Sequence, residues 1–315
     1  MIFGPVPSRR LGNSLGVNNI PPKECSYTCV YCQLGNTLKL EINQKEYYSP
    51  KKIITEIENH LSKLQDAKNI DYITFVPDGE PTLDIHLGET INKCKKFGIK
   101  TAVITNSSLM WKNNVREALY NADWVSLKID TVDNNLWHKI DRPHGSLSLN
   151  KIMDGIQIFS NNFKNFLATE TMLVQDVNDS KNILHQTADF IRTLNPSISY
   201  LTIPTRPPAV ESVLSPSLEN INQAYQIFSS KKLSVELITG YEGNEFSSTG
   251  NFREDILNIT AVHPMRKDAV KYLIEKDRAD WQMVDSLLQE GELIETIHNN
   301  EYFYLRNLKQ WRNTI

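Results

Sequence analysis

The sequence has little sulfur: 315 residues contain only four cysteines. Three of them crowd into Cys25-Ser-Tyr-Thr-Cys29-Val-Tyr-Cys32. An odd number in one tight loop excludes a disulfide framework and points to metal binding in a reducing cytoplasm. Charge of one sign is scarce too. Thirty-four Lys and Arg against 37 Asp and Glu leave a formal net charge of −3, too little for a basic field that captures nucleic acid without specificity. No run reaches the roughly 18 uncharged apolar residues of a membrane span. The start, Met1-Ile-Phe-Gly-Pro-Val-Pro-Ser-Arg-Arg10, lacks the apolar stretch of a signal peptide. Internal repeats and low-complexity tracts are absent as well. What remains is an ordinary globular composition, 40% hydrophobic and 23% charged. The length suits one large α/β domain with a small appendage.

The cysteine spacing, C-x3-C-x2-C, lets three thiolates converge on one metal centre and leaves one coordination position open to something other than protein. A structural zinc loop is the competing reading, although it needs a fourth ligand and is usually built from paired C-x2-C segments. Cys94 lies three residues after Ile91 on a helical face and reads as a small core hydrophobe.

Around this loop strands and helices alternate. Phe3–Gly12 is too rich in Pro and Gly for a regular element, and Ser14–Asn18 reads as a first strand. Ser49-Pro50 signals a helix start, and Ile53, Ile54, Ile57, Leu61 and Leu64 share one face of the helix that follows. Strands are expected at Tyr72–Val76, Thr101–Thr105, Trp124–Asp130, Phe166–Val174, Tyr200–Pro204 and Leu233–Ile238. Helices are expected at Ile85–Phe97, Asn113–Tyr120, Leu149–Phe159, Ser180–Leu194 and Leu218–Phe228. Six or seven such units with near-continuous apolar strands imply an α/β fold with a parallel sheet, a complete or partial (β/α)6-type barrel over residues 1–240.

Ligands of such sheets gather at the carboxyl ends of the strands. The polar clusters fall there: Asp78-Gly79-Glu80-Pro81, Thr105-Asn106-Ser107, then Ser126, Lys128 and Asp130, and Glu170 on the fifth strand. Glu80 stands out, because a carboxylate on a strand-end turn has little structural purpose. Arg9 and Arg10 read as a solvated turn or as an anion holder. Trp137, His138, Arg142, Pro143 and His144 form either an active-site loop or a packed surface loop, and Arg206-Pro-Pro-Ala either closes the site or ends the sheet.

Loop composition over 241–254 marks a linker. Beyond it, helices near Glu254–Asn258, Pro264–Glu275 and Asp280–Gln289 precede a hairpin turning at Asn299-Asn300, a winged-helix-like arrangement over 255–315. The third helix would be the recognition helix, yet Gln282, Asp285, Ser286, Gln289 and Glu290 offer no cation. From Asp255 on, eight basic residues face ten acidic ones, so protein contact or substrate gating is expected ahead of a tRNA contact.

The cysteine motif with Tyr31 before its last cysteine, the Gly-Gly-Glu-like Asp78-Gly79-Glu80-Pro81 and the strand-end polar groups resemble the radical SAM superfamily, in its order, from about Leu11 to Ile238. Within it the chain is similar to a group named by analogy with tRNA wyosine-type synthases. The resemblance implies one [4Fe-4S] cluster on Cys25, Cys29 and Cys32. S-adenosylmethionine (SAM) would bind the open iron and be cleaved reductively to a 5′-deoxyadenosyl radical that abstracts hydrogen from a substrate. It further implies a flavodoxin- or ferredoxin-like electron donor and a substrate that is a tRNA or a protein. Glu80, Gly79 and Pro81 would meet the ammonium of SAM, Tyr31 its adenine, Lys128 its carboxylate, and Asn106, Ser126 or Asp130 its ribose, with Glu170 in the same pocket. Cys94 alone cannot support an auxiliary cluster. The alternatives are a non-catalytic iron–sulfur sensor with a winged-helix regulatory domain and a zinc-stabilised binding protein.

Overall fold

The computed structural model describes residues 1–37, 39–64, 70–240, 246 and 248–307. Strands β1 (Ile2–Ser8) and β2 (Gly12–Val17) form an antiparallel pair. Two short strands, β3 (Glu24–Cys25) and β4 (Lys39–Leu40), brace the cysteine loop. Then follow β5 (Tyr72–Phe75), β6 (Lys100–Thr105), β7 (Trp124–Lys128), β8 (Phe166–Met172), β9 (Ile198–Thr202) and β10 (Val235–Ile238). The eight-stranded sheet runs β1-β2-β5-β6-β7-β8-β9-β10, parallel from β2 onward. Among the described residues its two end strands, β1 and β10, do not pair with each other, so the barrel is partial. Helices α1 (Pro50–Lys63), α2 (Leu87–Cys94), α3 (Asn113–Leu119), α4 (Asn134–Ile140), α5 (Leu149–Asn162), α6 (Lys181–Leu194) and α7 (Leu218–Ser230) make the crossovers.

Strand alternation sorts the side chains. Ile73, Phe75, Val103, Val125, Leu127 and Leu201 join Ile53, Ile57, Ile91, Phe159 and Phe228 of the helices in one outer core. Cys94 is buried there, as its helical position predicts. Facing inward, Ala102, Trp124, Ala168, Tyr200 and Ile238 pack with Leu11 as an apolar plug.

Two local expectations are corrected. The Pro- and Gly-rich start does form a strand: Pro5 and Pro7 are tolerated because β1 is an edge, and the ladder slips between Phe3 and Val6. The segment around Trp137 is helical, because Asp133 caps it by accepting from the backbone N–H of Asn135 and Leu136, each at 2.9 Å.

The C-terminal module comprises α8 (Phe252–Val262), β11 (Met265–Arg266), α9 (Lys267–Asp277), α10 (Trp281–Gln289), β12 (Leu293–His298) and β13 (Glu301–Arg306), with its sheet in the order β11-β13-β12. The linker expected over 241–254 lies partly outside the described residues. Helix α8 begins inside that span, since Asn251 caps it by accepting from the Glu254 N–H at 3.3 Å. Helix α9 starts at Lys267 rather than Pro264, because Met265 and Arg266 pair with Tyr304 and Phe303. Asn299 and Asn300 take φ of 48° and 61°, the left-handed pair that closes a tight hairpin. The module has its own core around Phe252, Ile256, Leu273 and Leu287, joined by Val6 of β1.

Above the plug the lumen turns ionic. Register places Lys128 beside Glu170, and Lys128 Nζ lies 2.8 Å from one Glu170 oxygen while Arg10 pairs with the other. Burial would raise the Glu170 pKa, but Arg10 and Lys128 overcome it and hold the carboxyl at about 2. Because this value lies below the ordinary one, the stabilisation is complete above about pH 4.3 and is lost as pH falls toward 2. Glu170→Gln is therefore expected to lower stability at pH 7 by about 3–5 kcal/mol. It should also remove part of the acid limb, both read by urea unfolding across pH.

Candidate active site

The cysteine loop is held from two sides. On one, Lys23 N–H donates to Asp78 O at 2.7 Å and Glu80 N–H to Glu24 O at 3.1 Å, so the loop lies directly on the turn after β5. A Cβ on Gly79 would stand 1.9 Å from the Glu24 carbonyl oxygen, which is why glycine occupies that position. On the other side, Thr28 and Val30 donate to the carbonyls of Asp141 and Ile140 at 3.1 and 2.9 Å, and Trp137 Nε1 donates to Tyr27 Oη at 3.2 Å. The 137–144 segment thus buttresses the loop, and none of its residues lines the cavity below.

Cys25, Cys29 and Cys32 are free thiols on the wall of one cavity of about 300 Å³. Asn106 Nδ2 donates to Cys25 Sγ at 3.4 Å, Cys29 Sγ to Asp141 Oδ1 at 3.3 Å, and Lys23 Nζ lies 3.6 Å from Cys32 Sγ. Burial, then Glu80, pushes the Cys25 thiol up to about 12. Burial and Asp141 push Cys29 well above the usual range, so a metal must displace protons to bind. Among the described residues no three Cys, His, Asp or Glu side chains meet as ligands of a single ion. Three thiols on the wall of one cavity are a donor set that fits a cluster whose irons each take one sulfur.

The Asp78–Pro81 turn carries a correction. Glu80 is fully buried and has a structural purpose. Its Oε1 accepts from Thr82 N, Thr82 Oγ1 and Thr105 Oγ1 at 3.0, 2.6 and 2.6 Å, and its Oε2 from Asn106 N at 2.8 Å. It caps the single helical turn that Pro81 opens, Pro81–Leu83, and straps β5 to β6. Burial raises its pKa against these donors. Asp78 is buried with neither carboxylate oxygen hydrogen-bonded, and burial pushes its pKa up to about 7.

Of the other residues expected around a ligand, Tyr31, Asn106, Lys128 and Glu170 line the cavity. Lys128 Nζ sits 4.8 Å from the Tyr31 ring centroid. Ser126 and Asp130 do not line it. Ser126 lies deeper, one inward step below Lys128 on β7, and is buried. Asp130 lies past the end of β7, where its carboxylate accepts from Tyr31 Oη and, at 2.7 Å, from the Met172 N–H. Three further cations of the lining do not lie in the strand-end clusters. Lys23 precedes the motif, Arg10 reaches in from the β1–β2 turn, and Arg206 joins the loop to the C-terminal module. Arg206 donates to Gln33 Oε1 at 2.6 Å and to His263 Nε2 at 3.0 Å. Only the basic pair at 9–10 and the Arg-Pro-Pro after β9 carried a sequence signal.

Known proteins agree with this arrangement. Residues 19–187, more than half of the chain, match the profile of the radical SAM superfamily. UPF0026 protein MJ1312 of Methanocaldococcus jannaschii is 44% identical over 309 residues, 98% of this chain and 96% of that protein. A Brachyspira hyodysenteriae protein named GTPase Obg is 32% identical over 311 residues, and the match covers 98% of this chain but 45% of that protein. A solved structure of TYW1 with a lysine-pyruvate adduct bound superposes with a TM-score of 0.55 at 15% identity, over 70% of this chain and 75% of that one, a likeness of fold. No helix among the described residues is long and apolar enough to cross a membrane. With the half-barrel, the thiol-lined cavity at its strand ends and these relatives together, the chain belongs to the radical SAM superfamily, enzymes that work with a [4Fe-4S] cluster and S-adenosylmethionine.

Proposed function

We propose that this enzyme abstracts a hydrogen atom from its substrate with a radical generated in the cavity at the strand ends. One observation carries the reading: the thiols of Cys25, Cys29 and Cys32, and no other thiol, share that cavity with the Asp78-Gly79-Glu80 turn. Each thiolate would hold one iron of the cluster and leave a fourth iron for SAM. Bound there and reduced by a flavodoxin- or ferredoxin-like donor, the cluster would supply the one electron that breaks a sulfonium C–S bond of SAM, giving methionine and a 5′-deoxyadenosyl radical.

The chain's own groups bind and orient. The backbone carbonyls of the glycine turn would accept from the ammonium of SAM, Lys128 would meet its carboxylate, and Tyr31 would give apolar cover. Glu80 and Asp130 act at one remove: Glu80 holds the turn against β6, and Asp130 fixes the Tyr31 hydroxyl. Residues 1–240 form the catalytic core, and the winged-helix-like module gates it. A second hollow of about 230 Å³ lies between Arg266, His298, Asn299, Glu301 and Phe303 of the module and the loops after β9 and β10. It shares Ile203, Pro204, Thr205 and Gly240 with the main cavity. The exposed positions of α10 carry no Lys or Arg, which favours a protein contact over an RNA contact for the module.

Anaerobic loading with iron and sulfide, reduction with dithionite and addition of SAM are expected to yield 5′-deoxyadenosine on chromatography. Serine at Cys25, Cys29 or Cys32 should reduce the yield to background, while Cys94→Ser leaves it unchanged. A fully loaded sample that neither binds nor cleaves SAM refutes the reading. Gly79→Ala should force the Glu24 carbonyl away, costing about 1–3 kcal/mol of stability. The iron retained after loading should fall below that of the parent, as checked by thermal unfolding and iron analysis.

A further inference from the structure

Lys23 occupies a place that ordinarily rejects a lysine. The residue is 3% exposed, and its φ of 61° is a left-handed backbone that a side chain disfavours. Its own N–H, bonded to Asp78 O, holds that conformation. Its Nζ donates to Gly35 O at 2.6 Å and lies 3.6 Å from Cys32 Sγ. Among the described residues no carboxylate lies within ion-pairing distance of it, whereas the lumen cations Arg10 and Lys128 share Glu170. Asp78 acts on Lys23 only at longer range, and neither of its carboxylate oxygens has a hydrogen-bond partner. Two neutral contacts do not offset the burial of a lysine's positive charge. Among the described residues, the Cys32 sulfur is the one side-chain contact of Nζ able to become an anion.

We infer that Lys23 is the counter-cation of the metal centre, a positioning residue whose fixed charge beside the Cys32 ligand helps retain the cluster and raises its reduction potential. The inference rests on the proposed function. Adding an electron adds negative charge to the centre, and a buried cation one contact from a ligand sulfur favours that state more than water would. A clamp that merely tied Gly35 down would need Lys23's hydrogen bond but not its charge.

The test uses the full chain, loaded anaerobically, as parent, Lys23→Met and Lys23→Arg, with iron and sulfide analysis and a redox titration followed by electron paramagnetic resonance. Parent and Lys23→Arg should titrate at close potentials, and Lys23→Met at a clearly more negative one with faster loss of iron to a chelator. The metal-free Lys23→Met protein should melt no lower than the metal-free parent, because it has lost an uncompensated buried charge. A Lys23→Met variant that folds but does not load, while Lys23→Arg loads, also supports the inference. An unchanged potential in Lys23→Met, a metal-free Lys23→Met protein that melts well below the parent, or equal loss of the cluster from both variants overturns it. A parent that takes up no cluster removes the functional reading itself, and this inference with it.

Discussion

Two backbone hydrogen bonds, Lys23 N–H to Asp78 O and Glu80 N–H to Glu24 O, place everything else in the site. They seat an otherwise irregular loop on the rigid end of β5, and they form only because Gly79 has no Cβ to strike the Glu24 carbonyl. From that seat Cys25 comes within reach of Asn106, whose backbone N–H is held by Glu80. The cysteine loop and the ends of β5 and β6 are thereby locked as one unit. A loop pinned by main-chain bonds to a parallel sheet is a precise platform for a metal centre.

Charge is distributed around this platform with consistent logic. In the lumen one carboxylate, Glu170, neutralises two cations and makes a floor that is stable without a ligand. At the cysteine loop the balance is left open: Lys23 has no carboxylate partner among the described residues and meets the Cys32 sulfur, while burial holds the Cys25 and Cys29 thiols protonated. The first arrangement serves folding. The second is completed only by an anionic metal centre, so the same folded chain is primed for loading.

Much of this was legible in the sequence because it follows from periodicity. The inward–outward alternation of β5 to β10, the cap at Ser49 and the glycine turn all express local rules. The strand at Ile2–Ser8 was hidden because edge position, not composition, excuses Pro5 and Pro7. The sequence gives no sign that Glu80 is occupied, because the donors that hold it, Thr105 and Asn106, lie 25 and 26 residues away. Ser126 and Asp130 illustrate a subtler limit. Both sit near the end of one strand, but depth in the barrel removes the first from the cavity, and the bend after Lys128 turns the second toward Met172. Arg10 enters the lumen from a turn, and Arg206 bridges to His263, pairings that no spacing rule announces.

The central claim is that three thiolates hold one cluster and leave an iron for SAM. Electron paramagnetic resonance of the reduced, loaded protein tests it most directly, with SAM carrying a nitrogen-15 label on its amino group. The account predicts that SAM alters the cluster spectrum and that the labelled nitrogen couples to it. A cluster spectrum indifferent to SAM, with no coupling to the label, would contradict it.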